Sequence, residues 1–106
     1  MGNSRIKHIV MWRLHESAEG ASKAENALTM KKMLEGLKGT IAEIEAIEVG
    51  INAIASPASY DVVLSSEFAS MEALDRYQKH PEHQKCKDFI VKVVGDRAVV
   101  DYEVDS

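Results

Sequence analysis

Tyr77-Gln78-Lys79-His80-Pro81-Glu82-His83-Gln84-Lys85-Cys86 is the stretch that orders the rest of the chain. Proline has no N–H and a fixed φ, so it does not belong in a helix interior. It also drives the residue before it out of the α region. A helix carrying Leu74 and Tyr77 therefore ends at or before His80, and Pro81 opens a second helix, where its missing N–H has no partner to lose. From His83 the apolar residues Cys86, Phe89, Ile90, Val93 and Val94 recur at helical spacing. His83 opens that buried stripe, with Glu82 and Lys85 turned outward. Tyr77 lies three residues after Leu74, on the inner stripe of the preceding helix. Tyr77 and His83 are thus expected to look inward at one helix junction. A packed aromatic and a core histidine bonded to backbone would satisfy the same pattern. His80 reads as a turn or N-cap residue.

Outward from this junction, Met71 to Lys79 forms the short helix, capped by Ser70, and the longer helix runs from Pro81 to about Val94. Gly95-Asp96 reads as the turn that ends it, and Arg97 to Val104 as the last strand. Upstream, Tyr60 to Phe68 alternates as a strand, after a loop from Asn52 to Ser59. Ile41 to Ile51 is a further strand, with Gly50 marking a bulge. Ile44 and Ile47 have opposite parity, so that strand is either apolar on both faces or bulged. Ser22-Lys23-Ala24-Glu25 reads as a capping box. The helix after it has a stripe of Ala24, Ala27, Leu28, Met30, Leu34 and Leu37, a wet face of Lys31, Lys32 and Glu35, and an end at Gly36 and Gly39. His15 to Gly20 is polar and reads as loop, with His15 solvated. Arg5 to Leu14 is the first strand: Ile6, His8, Val10, Trp12 and Leu14 point one way, and Lys7, Ile9, Met11 and Arg13 the other.

The order β-α-β-β-α-β is the split βαβ or ferredoxin-like arrangement, an α+β fold with a four-stranded antiparallel sheet and helices on one face. The first three strands carry apolar residues on both sides. An uncovered apolar face is an association surface, so the patterning predicts a homodimer built through the sheet faces.

With 106 residues the chain is long enough for one domain, whose core spans about residues 5–104. A domain this small gains from dimerisation, because it buries a modest share of its surface alone. The net charge is −4 and the basic residues are scattered, which argues against a nucleic-acid partner. No apolar run suits a signal peptide or membrane span. Met1-Gly2 opens like an acylation signal, but Ile6 stands where Ser or Thr is needed. The single cysteine, Cys86, excludes an intrachain disulfide and fits a reducing compartment, so the expected location is cytoplasmic. On its helix face Cys86 reads as core, not nucleophile. His80 and His83 flank Glu82, but the proline separates the two histidines, and no zinc-like spacing, phosphate loop, nucleophile elbow or dinucleotide fingerprint is present. No metal and no cofactor are expected.

Ile6-Lys7-His8-Ile9-Val10, Ser59-Tyr60-Asp61, Phe68-x-Ser70-x-Glu72-x-Leu74-x-x-Tyr77-x-x-His80-Pro81-x-His83 and Val99-Val100-Asp101-Tyr102 together resemble the stress-responsive dimeric α/β-barrel (Dabb) family. The resemblance covers essentially the whole chain and is most specific in the Tyr-x-x-His-Pro-x-His run. It implies two sheets joined into a dimeric α+β barrel. Most members of bacterial type have no assigned activity. A plant member closes a polyketide ring without metal or organic cofactor, in a pocket between sheet and helices. By that resemblance Tyr77 and His83 are catalytic, and His8 lines the pocket. Val62 stands where the plant enzyme has a further pocket histidine, which implies a more apolar pocket. Val10, Trp12, Val62 and Cys86 complete the expected lining.

Three functions fit this reading. The first is a small homodimeric protein with a small apolar pocket between sheet and helices for an apolar ligand. The second is a cofactor-independent enzyme acting on a small aromatic or polyketide-like compound, with His83 as general base and Tyr77 orienting it or donating to a developing oxyanion. The third is an oxygenase of the haem-degrading or cofactor-free kind, which shares the barrel architecture.

Overall fold

The computed structural model describes residues 5–104. The reading of Met1-Gly2 lies outside them. Strand β1 (Arg5–Leu14) leads into a two-stranded hairpin, β2 (Ser17–Ala18) and β3 (Ala21–Ser22). Helix α1 (Lys23–Gly36) follows, extended by a 3₁₀ turn over Leu37–Gly39. Then come β4 (Ile44–Ile51), β5 (Val62–Phe68), α2 (Met71–Lys79), α3 (Pro81–Val93) and β6 (Val94–Val104). The main sheet has the order β4-β5-β1-β6 and every neighbouring pair is antiparallel. This is the ferredoxin-like α+β fold, with three helices packed on one face of the sheet.

The alternation in β1 decides which face is covered. Ile6, His8, Val10, Trp12 and Leu14 are all buried beneath the helices, while Ile9 is half-buried and Met11 exposed on the other face. The helix termini follow local chemistry. Ser22 Oγ accepts from the Glu25 amide at 3.2 Å, and the Glu25 carboxylate accepts from the Ser22 amide at 2.9 Å, closing the capping box. His80 is extended (φ −66°, ψ 137°) and both ends α2 and caps α3, its Nδ1 accepting from the Glu82 amide at 3.1 Å.

Several expected boundaries move, each for a visible reason. Thr40 to Glu43 is turn, not strand, because the 3₁₀ winding continues α1 and the Ile41 amide donates to the Leu37 carbonyl at 2.8 Å. The register slips between Ile44 and Ala46, and Gly50 pairs regularly with Val63. That slip places Ile44 opposite Phe68 and Ile47 opposite Ser66, both on the helix face, which resolves their opposite parity. Tyr60 and Asp61 precede β5: the Asp61 carboxylate takes the Leu14 amide at 2.8 Å, and Arg13 stacks on the Tyr60 ring at 4.0 Å. Gly95 and Asp96 form no separating turn. Helix α3 passes directly into β6, with Asp96 opposite Arg13 and accepting from it at 2.8 Å.

On α1 the buried stripe is Asn26, Ala27, Met30 and Leu34; Ala24 and Leu28 face out. Asn26 rotates the stripe because its amide donates to the Ala18 carbonyl at 3.0 Å, anchoring the hairpin. Lys31 and Glu35 are also not a wet face. Lys31 Nζ donates to the Val49 carbonyl at 2.6 Å and the Glu35 carboxylate accepts from the Val49 amide at 3.0 Å. They satisfy outward backbone groups of the edge strand β4.

Candidate functional site

A cavity of about 400 Å³ lies between the helices and the β1 side of the sheet. Its floor is the row His8, Val10 and Trp12, set on one face by the two-residue repeat of β1. Tyr77 enters from the last turn of α2, and His83 from the first turn of α3. Cys86 and Ile90 follow His83 by three and seven residues along the same wall. The helix break at His80-Pro81 is what turns these two walls toward one another.

The rings form a connected cluster. Tyr77 and His83 have centroids 4.6 Å apart, Tyr77 and Phe68 4.8 Å, and His8 and Tyr77 6.3 Å edge-to-face. His8 is buried, and its Nδ1 pairs with the Asp101 carboxylate, its register partner on β6. A carboxylate on Nδ1 calls for a proton there, so the Asp101 pairing fixes the orientation of the His8 ring.

Tyr77 is 0% exposed, and burial, followed by the nearby Cys86, pushes its phenol well above the ordinary value. It remains a protonated donor at neutral pH. Burial pushes the His83 pKa down; the neighbours His8, Lys87 and Arg97 act in the same direction and the Gln78 backbone against it. His83 is therefore a neutral imidazole near pH 7. The Tyr77 hydroxyl and His83 Nδ1 are buried without a hydrogen-bond partner among the described residues. Buried polar groups are normally paired, so two orphans side by side at a cavity stand out. Burial also raises the Cys86 thiol, whose sulfur leans toward the Met33 carbonyl at 3.8 Å, in keeping with a packed thiol rather than a nucleophile.

His8, Val10, Trp12, Tyr77, His83 and Cys86 thus come together around one space, whereas Val62 does not. Val62 pairs with Trp12 and Ile51 and is buried in the core; the β5 residue that reaches the cavity is Leu64, opposite Val10. Sequence reasoning missed Leu34, Leu64, Gln78, Lys87, Ile90 and Arg97 as lining, and Asp101 as the partner of His8. Asp101 was detectable only through strand register, which brings together residues 93 positions apart. Among the described residues no three His, Cys, Asp or Glu side chains cluster as metal ligands, and no helix is long and apolar enough to cross a membrane.

The topology of this fold is that of a known family. The model of the stress responsive A/B barrel domain matches residues 6–104, and the chain belongs to that family. It is 28% identical over 96 residues to an uncharacterised protein of Streptomyces coelicolor, covering 86% of this chain and 96% of the relative. A dimeric protein of unknown function and ferredoxin-like fold from Bacteroides fragilis is 30% identical with a TM-score of 0.80, over 94% of this chain and 96% of the other. The fold is also that of a hydroxynitrile lyase from Passiflora edulis, at 16% identity and a TM-score of 0.77, over 97% of this chain and 95% of the other.

Proposed function

We propose that this chain forms a homodimer through its open sheet face and takes a small, largely apolar molecule bearing a hydrogen-bonding oxygen into the cavity of each subunit. The observation that carries the reading is the pair of unpartnered buried atoms, the Tyr77 hydroxyl and His83 Nδ1, on two residues that line an otherwise mostly apolar cavity. Leaving such groups unpaired costs about 1–3 kcal/mol each. A ligand oxygen that pairs them recovers that cost. The volume suits a compact ligand. Dimerisation is supported by the dimeric Bacteroides fragilis neighbour and by the exposed Val100 and Tyr102 beside Ile9 and Met11 on the uncovered face. The lone Cys86, free and buried, supports a reducing, cytoplasmic setting.

The test of binding is a thermal-shift screen of small phenols, aromatic acids and fatty-acid-like compounds on wild type and His83→Ala. A ligand at 100 times its Kd adds about 2.7 kcal/mol, worth several degrees in a small domain. The expected result is a shift in wild type that His83→Ala loses; no shift with any compound sinks the reading. For the dimer, Val100→Glu is expected to leave a monomer in sedimentation at micromolar concentration, and a wild-type monomer refutes it.

A second reading, cofactor-independent proton transfer of the polyketide-cyclase type, is favoured by the Asp101-oriented His8 and the neutral His83. His83 would take a proton from carbon next to a carbonyl, and the protonated Tyr77 would hydrogen-bond the enolate oxygen that forms. Wild type is then expected to speed deuterium exchange at an activated C–H of a bound β-ketoester at least a hundredfold over His83→Ala, the low end for a positioned base.

A further inference from the structure

We propose that the molecule taken by this cavity carries a carboxylate, held by Lys87 and Arg97, an apolar body, and at its far end the oxygen that pairs Tyr77 and His83. This inference rests on the cavity being a binding site. Most lysines and arginines of this acidic chain are already engaged: Arg5, Lys7, Arg13, Lys23, Lys31, Arg76, Lys79 and Lys85 each meet a carboxylate. Among the described residues, the side chains of Lys87 and Arg97 have no such partner, and both line the cavity. Asp96 is committed to Arg13, Glu82 to Lys85 and Asp101 to His8, and the neighbouring Asp88 forms no ion pair with either cation.

Position adds direction. His8 pairs with Asp101 and Trp12 with Arg97 across the same β1–β6 ladder. The floor therefore runs from an acid-bound histidine to an unpaired guanidinium over about 13 Å, at about 3.3 Å per residue. On the opposite wall Lys87 stands one turn beyond His83, about 6 Å further along α3. Arg97 and Lys87 come from different elements and line the same cavity. Between Arg97 and the Tyr77 end lie Val10 and Leu64, and between Lys87 and His83 lies Cys86, an apolar stretch. The cavity is thus polar at both ends and apolar in the middle, which matches an acid with a second oxygen at the far end of an apolar body. Arg97 offers a planar fork for a carboxylate and Lys87 a point charge.

Isothermal titration of 4-(4-hydroxyphenyl)butyrate and 6-hydroxy-2-naphthoate against their neutral amides, at low salt, tests this on the whole chain. The acids are expected to bind wild type on the order of tenfold more tightly than the amides, the scale of one charge-assisted contact. Arg97→Gln and Lys87→Gln should each reduce that preference, and the double variant should abolish it. Both substitutions are at exposed side chains, so folding is not in question. Equal binding of acid and amide by wild type, lost in His83→Ala, overturns the inference and leaves the cavity reading intact. An acid preference that survives in the double variant also overturns it. Failure of all four compounds to bind wild type removes both.

Discussion

Met30, Ile41, Val49 and Phe68, under α1 and beside β4 and β5, are at most 1% exposed, whereas Val91 and Val99, beside the cavity under α3 and β6, are 62% and 43% exposed. The same sheet and the same helix layer are packed solid at one end and hollow at the other. The difference lies in what the outer strands offer to the helices. On β4 the helix-side residues Ile44, Ile47 and Val49 belong to the core, and α1 closes onto them. On β6 the residues on that side are Arg97, Val99, Asp101 and Glu103. Charged side chains keep their solvent, so α3 cannot settle onto this edge as α1 settles onto the other. A cavity with polar ends is left where apolar packing stops. In this fold a site arises beneath a helix that does not close.

The largest test of that contrast is a pair of truncations read by urea denaturation. Phe68→Ala, in the solid end, is expected to cost about 3–5 kcal/mol. Ile90→Ala, on the cavity wall, is expected to cost about 2 kcal/mol or less, because the space beside it already forfeits contacts. Equal costs would mean that the cavity is packed in solution.

A smaller effect sharpens the hollow end. Tyr77→Phe removes a buried hydroxyl without a partner, so stability should change by less than about 1 kcal/mol, or rise. The same variant should lose the ligand-induced thermal shift. A loss of more than about 2 kcal/mol would show that the hydroxyl is paired in the free protein.

The smallest effect is pH dependence. The His83 pKa is lowered in the folded protein, so between its folded value and the ordinary value of 6.5 the unfolded chain binds the extra proton. Its contribution is complete above that ordinary value and is lost as pH falls through the window below it. The carboxylates of Glu25, Glu35 and Glu43 are also lowered, but from 4.5, so they act in a more acidic window. The melting temperature of wild type should therefore begin to fall just below pH 6.5, and His83→Gln should flatten that first decline. An identical profile in the variant would place the titration elsewhere.

Much of the fold was legible because periodicity is local. The alternation of β1 gave the correct buried face, Pro81 marked the break between α2 and α3, and the Ser22–Glu25 box and Ser70 located two helix starts. Reading failed where a side chain competed with backbone pairing or where a slip hid the period. Asp61 took the Leu14 amide and shortened β5, and the irregularity after Ile44 made a one-sided strand look two-sided. The hairpin at Glu19-Gly20, both at positive φ (53° and 76°), lacks the Asn-Gly or Asp-Gly signal that such turns usually carry.

For the site, the sequence by itself determined that Tyr77 and His83 would meet at one junction and that His8, Val10 and Trp12 would share a face. Helical and strand repeats settle such questions within a few residues. Only the tertiary structure decided that Asp101 holds His8, that Leu64 and not Val62 reaches the cavity, and that Lys87 and Arg97 line the same space. Those relations depend on register between strands and on how closely α3 approaches β6. Both are set by packing between segments far apart in the chain, which no local pattern encodes.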